Sequence, residues 1–167
     1  GKKEMELPPG YSFENWEAPK DIYGRDQLFE PTGIAVAKDG TVVVATRTAG
    51  IWRIRNDKWT KFAEGTYECL GVWIEDDKGD QFVVMQKPEL TRMKDSNGDG
   101  RGDSFETVCD DYGFHGNYHE YAHGPVRDKE GNYYFSLNLS HGGNERTSWR
   151  AGGPFMGSMG GYRGWAC

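Results

Sequence analysis

The chain has 167 residues and a mass of 18.8 kDa, with 20 Lys and Arg against 26 Asp and Glu for a formal charge of −6. That size suits one domain or a piece of a larger one, and the acidic balance excludes the basic field that a nucleic-acid partner requires. No stretch approaches the ~18 apolar residues of a membrane span, and no charged-then-apolar leader opens the chain, so a soluble protein without a membrane span is expected.

Twenty-four glycines and 14% aromatic residues argue against a helical bundle. Aromatic and β-branched residues punctuated by Gly, Asp and Asn read as short strands joined by tight turns, which gives an all-β class. The cysteines, Cys69, Cys109 and Cys167, form no C-x-x-C, so neither a thiolate zinc site nor a redox dithiol is signalled. At most one disulfide can form among them, and Cys69–Cys109 is the natural candidate.

Residues 1–30 have no sustained period and contain Pro8, Pro9 and Pro19, which reads as an extended N-terminal segment lying across something else. From Pro31 an apolar strand, a D-G turn at Asp39–Gly40 and a second apolar strand over Thr41 to Thr46 predict a hairpin. A second pair follows over Gly50 to Arg55 and Lys58 to Ala63, split at Asn56–Asp57.

The phrase then repeats. G-I-A-V-A-K-D-G-T-V-V-V-A from Gly33 returns as G-V-W-I-E-D-D-K-G-D-Q-F-V-V-M from Gly71, and again as H-G-P-V-R-D-K-E-G-N-Y-Y-F-S-L from His123. Each copy predicts a four-stranded meander, and a period of roughly 40 to 50 residues is that of propeller blades. Residues 31–167 then hold the first two and a half to three blades of a β-propeller. A ring takes at least about four, so the remaining blades come from the same chain or another.

Two motifs carry chemistry. D-S-N-G-D-G-R-G-D-S-F-E, inserted at 95–106, places side-chain oxygens at Asp95, Asn97, Asp99, Asp103 and Glu106, a glycine at position 6 and the Arg101 carbonyl at position 7. Alternate positions of a tight coil turn their oxygens inward, the pattern that collects calcium. The flanks are strand-like, so a calcium loop stapling an insertion between two strands is expected. The second motif, H-G-N-Y-H-E-Y-A-H, holds His115, His119 and His123, and contains the H-E-x-x-H string of zinc hydrolases as His119, Glu120 and His123. Gly116 and Gly124–Pro125 leave about seven residues for the helix that zinc binding needs, which argues against it. Trp16, Trp52, Trp59 and Trp73 read as packing residues, whereas Trp149 and Trp165 in the Gly-rich tail are candidates for stacking on a sugar ring.

G-N-Y-H-E-Y-A-H-G-P-V-R-D-K-E-G-N-Y-Y-F-S-L-N, Q-K-P-E-L-T-R-M-K-D-S-N-G-D-G and the terminal Y-R-G-W together resemble the propeller domain of planctomycete-type membrane-bound dehydrogenases. That family is akin to the soluble quinoprotein glucose and sorbosone dehydrogenases, and the resemblance is strongest over residues 82–140. It implies an exported protein, periplasmic or extracellular, that oxidises a sugar or related alcohol with pyrroloquinoline quinone and passes electrons to a cytochrome partner. His119 falls where the family carries its general base, Glu120 would partner it, and Arg146 is a candidate contact to an anionic cofactor. The family's G-D-x-G is replaced by N-L-S-H-G-G-N over Asn138 to Asn144. A non-catalytic propeller that binds carbohydrate or protein and uses calcium for structure is the alternative reading.

Overall fold

The structure is a computed structural model that describes residues 7–112 and 121–138. Among these residues there are ten strands and no helix. They form three antiparallel sheets of four, four and two strands. Sheet 1 is β1 (Pro31–Val36), β2 (Val42–Thr46), β3 (Ile51–Arg55) and β4 (Lys58–Ala63); sheet 2 is β5 (Val72–Ile74), β6 (Gln81–Met85), β7 (Leu90–Lys94) and β8 (Ser104–Cys109). Sheet 3 pairs β9 (Ala122–Arg127) with β10 (Tyr133–Leu137). The strands of sheets 1 and 2 follow chain order, so each is a meander of the kind the repeat predicts.

Turn chemistry sets the registers. At the β1–β2 turn the Asp39 carboxylate accepts the Thr41 backbone N–H at 2.8 Å and Gly40 takes φ 88°. Between β3 and β4, Asn56 and Asp57 sit at φ 51° and 59°, the left-handed pair of a two-residue hairpin that Asn and Asp tolerate best.

Alternation along each strand then decides what is buried. Val43, Ala45, Ile51 and Phe62 of sheet 1 pack against Phe82, Val84 and Met93 of sheet 2, with the Phe62 and Phe82 rings 4.6 Å apart. The opposite face of sheet 2, with Val83, Met85 and Leu90, packs against Ala122, Phe135 and Leu137 of sheet 3. Sheets therefore stack in chain order, and the first strands β1, β5 and β9 touch in succession. The three repeat glycines meet at that seam. A Cβ on Gly33 would lie 2.7 Å from Gly71 Cα, and one on Gly71 would lie 1.8 Å from the Gly124 carbonyl oxygen. Only a residue without a side chain permits backbones this close.

Residues 7–30 hold no strand or helix. Their last part lies on the outer face of sheet 1, where Phe29 meets Trp52 and Trp59 edge-on with centroids 6.0 and 5.5 Å apart.

The candidate Cys69–Cys109 disulfide does not form: both thiols are free. Cys69 is sealed in the core between sheets 1 and 2, while Cys109 ends β8 and packs with the core between sheets 2 and 3. Burial pushes the Cys69 thiol up to about 12, so it stays neutral and unreactive in the fold. Cys167 lies outside the described residues.

Candidate functional site

Antiparallel meanders put alternate connections at opposite ends of the stack. At one end, here the upper end, lie the starts of β1, β5 and β9, the connections β2–β3, β4–β5 and β6–β7, and the end of β8. The turns β1–β2, β3–β4, β5–β6, β7–β8 and β9–β10 occupy the lower end.

The upper end gathers a buried ionic group. Lys87, 1% exposed, follows β6 and donates to Glu68 Oε2 at 2.8 Å. Arg47, following β2, donates to Glu68 Oε1 through Nε at 3.1 Å and Nη2 at 3.0 Å, and its Nη1 lies 3.7 Å from Glu30. Burial pushes the Glu68 carboxyl up, but the hydrogen bonds from Lys87 and Arg47 outweigh it and hold the group below the usual glutamate range. The Lys87 ammonium sits 5.6 Å from the Tyr67 ring centre and 5.0 Å from that of Tyr121, within cation–π reach of both. Backbone bonds brace the group: Lys87 N–H donates to Tyr67 O at 3.1 Å, and Asn138 N–H donates to Tyr121 O at 2.9 Å.

None of Arg47, Glu68 or Lys87 belongs to a motif that spacing alone singles out. Their signal lies in the repeat. Superposing the hairpins on Gly33 and Gly71 matches Ala45 with Met85, and two residues further on Arg47 with Lys87, so the first two copies carry a cation at the same turn.

The catalytic candidates His119 and Glu120, and the cofactor candidate Arg146, lie outside the described residues, as do His115, Trp149 and Trp165. The residues that bracket the histidine segment are described. Tyr112 donates its hydroxyl to Gln86 O at 3.3 Å, and Tyr121 stands against Lys87 and 6.0 Å from the Arg47 guanidinium. Both therefore lie at the upper end. His123 is exposed on β9, paired with Ser136. The zinc string needs both of its histidines on one helical turn, and a strand at His123 does not supply it.

The acidic motif lies at the lower end, between β7 and β8. Asp95 accepts the backbone N–H of Gly98 at 2.7 Å and of Gly100 at 2.9 Å; Asn97 accepts that of Asp99 and Asp99 that of Arg101, each at 2.8 Å. Gly100 makes the reversal at φ 96°. Asp103 reaches back to accept Ser96 N–H at 2.9 Å, which holds its carboxyl below the usual range. The donors of the coil are all oxygen, the chemistry suited to a hard cation. Glu106 is not part of the coil: it stands on β8 opposite Arg92 and accepts from Arg92 Nη1 at 2.7 Å. Arg101 is exposed and could offer its carbonyl alone. Among the described residues no three His, Cys, Asp or Glu side chains are gathered for a metal.

The coil also joins two sheets. Arg53 of β3, nearly inaccessible, donates Nη2 to Asp95 Oδ2 at 3.2 Å and pairs through Nη1 with Asp80, while Gly102 N–H donates to Phe62 O at 2.9 Å. The matching position on sheet 2 is Arg92, which donates Nε to the buried Glu75 at 2.7 Å; Tyr133 of sheet 3 completes that link. The first junction is thus tied by Arg53 of sheet 1 to carboxylates of sheet 2, and the second by the Tyr133 hydroxyl of sheet 3 to Glu75, the carboxylate that Arg92 holds within sheet 2.

No protein-family model, no curated protein and no solved structure matches this chain. No helix among the described residues is long and apolar enough to cross a membrane.

Proposed function

We propose that the sheets are blades of a β-propeller and that the upper end of its hub carries a quinone-dependent oxidation of a sugar or related alcohol. One observation carries this reading. The connection holding His119 and Glu120 begins and ends beside the buried group of Arg47, Glu68 and Lys87, at the end where the first strands of all three sheets converge. Binding and catalytic residues are disproportionately carried on connections anchored by a rigid scaffold.

In this reading His119 takes the substrate hydroxyl proton, which requires a neutral imidazole near its operating pKa. Glu120 orients that imidazole, and Arg146 faces an anionic group. Pyrroloquinoline quinone, when bound, supplies the acceptor for the hydride leaving the adjacent carbon. The quinone is a tricarboxylate, and because Arg47 is already engaged by Glu68 and Glu30, the reading assigns the contact to Arg146. A cytochrome partner would take up the two electrons, and the protein would act in the periplasm or outside the cell.

Calcium enters the proposal as a structural ion. Asn97, Asp99, Asp103 and the Arg101 carbonyl would hold it, with Asp95 joining them only by sharing its carboxylate with Arg53 and Glu106 remaining with Arg92. The coil lies at the opposite end of the stack from Tyr112 and Tyr121, which supports a stapling role over a catalytic one.

The test is dye reduction after loading with pyrroloquinoline quinone and Ca²⁺, over a panel of sugars and alcohols. Substrate-dependent reduction that His119→Ala abolishes while leaving the unfolding curve unchanged is expected. Absence of both a quinone spectral change and any substrate-dependent reduction would remove the reading.

A further inference from the structure

Sheets 1 and 2 are built alike, so each face of one has a counterpart on the other. The hairpin registers match Ile34 with Val72, Val36 with Ile74, Val42 with Phe82, Val44 with Val84 and Ile54 with Met93. On sheet 2 these are the residues that sheet 1 covers: Phe82, Val84 and Met93 are core, and Val72 and Ile74 pack against the same cluster. On sheet 1 the same positions meet no sheet among the described residues. Ile34 is 63% exposed and Val36 66%, and Val42, Val44, Trp52 and Ile54 form a separate cluster joined only by Phe29 and Trp59. The N-terminal segment gives this face one wall, where Trp16 and Ala18 stand with Phe29 and Trp59 around a groove reaching Ile34 and Val44.

We infer that this face seats one further antiparallel sheet. The occupant presents to it the chemistry that sheet 1 presents to sheet 2: small aliphatic side chains like Val43, Ala45 and Ile51, and one aromatic ring like Phe62. The argument is the repeated interface itself, since one junction of this kind is already filled in the molecule and the residues that fill it recur, uncovered, one repeat earlier. The inference rests on the propeller reading and says where in the ring the preceding blade enters. An exposed pair of β-branched residues on the first strand of an otherwise sealed sheet is an interaction surface, since single scattered apolar residues would not repeat the buried pattern of a neighbour. The partly seated Trp16 and Phe29 then become the rim of the joint, closing it against water at the side where β1 begins.

The test is photocrosslinking in the full chain as it is made in its cell, with Ile34→p-benzoylphenylalanine and Val36→p-benzoylphenylalanine as two separate variants. Their counterparts Val72 and Ile74 are only partly buried at the filled junction, so the label stands at the margin of the joint rather than at its centre. Expected is crosslinking of both variants to one and the same strand segment outside residues 7–138, rich in alternating small aliphatic residues. Crosslinks confined to residues 7–30, crosslinks to the same face of a second copy, scattered products or none would each overturn the inference. The readout uses neither quinone nor substrate. Loss of the dehydrogenase reading would therefore leave a positive crosslink standing, and a negative crosslink beside intact sugar oxidation would remove the seat alone.

Discussion

Replacing Lys87 by methionine keeps the length of the side chain, so that an apolar chain still packs between Tyr67 and Tyr121, while deleting the charge and its cation–π contacts. What remains is Glu68, its side chain 14% exposed, facing Arg47 alone. Removing one partner of a buried pair typically costs about 3–5 kcal/mol, because the other charge is left uncompensated. Arg47 still donates to Glu68 through two nitrogens, so the loss belongs at the lower end of that range, about 3 kcal/mol. For a chain of this size that corresponds to a fall in Tm of roughly 6–12 °C. Urea unfolding followed by tryptophan fluorescence gives the free energy directly. The double variant Lys87→Met with Glu68→Gln, which removes the excess negative charge and leaves Arg47 beside Glu30, should recover part of the loss. A single-variant loss under about 1 kcal/mol, or a double variant no better than the single, would refute the view that Glu68 is held by these two cations in a dry setting.

Three further outcomes follow from the geometry. Gly71→Ala would drive a methyl into the Gly124 carbonyl at the seam of the first strands, and a loss of about 3 kcal/mol or more in urea is expected; a loss no larger than that of an exposed Gly10→Ala control would contradict the close approach. If the coil at 95–103 takes Ca²⁺, saturation at a hundredfold over Kd should add about 2.7 kcal/mol to stability. That gain should vanish in Asp99→Ala, and calorimetric scans with Ca²⁺ and with chelator measure both; equal Tm values in the parent would remove calcium from the account. Because the folded Cys69 thiol is raised to about 12 while an unfolded thiol ionises near ~8.5, the unfolded chain sheds its proton first. The stabilisation is therefore complete below ~8.5 and is lost as pH rises towards about 12, and Cys69→Ala should flatten that part of the stability profile. An unchanged slope would show that the thiol titrates alike in both states.

Much of the sheet architecture could be read before any coordinates. The D-G and N-D turns mark two hairpins because few residue pairs tolerate a positive φ, and the return of Gly33 as Gly71 announces a second meander. The backbone contact among the repeat glycines is legible only afterwards, since a sequence shows that a glycine recurs without showing what presses on it. The site was harder. Arg47, Glu68 and Lys87 come from three connections, and their convergence depends on how sheets 1 and 2 stack. Glu106 illustrates the reverse difficulty: it completes a twelve-residue spacing in the sequence, but β8 begins at Ser104, so the strand's pairing fixes its direction and delivers it to Arg92. The Cys69–Cys109 pairing failed for a similar reason, the two residues being carried to different cores.

The most direct measurement is hydrogen exchange by mass spectrometry on the full chain, with and without pyrroloquinoline quinone, at fixed Ca²⁺. The account predicts slowed exchange concentrated at the upper end, over 66–70, 86–90 and 112–122, with the coil at 95–103 unchanged by the quinone. Protection centred on the lower-end turns, or none anywhere at saturating quinone, would contradict the placement of the oxidation chemistry beside Lys87.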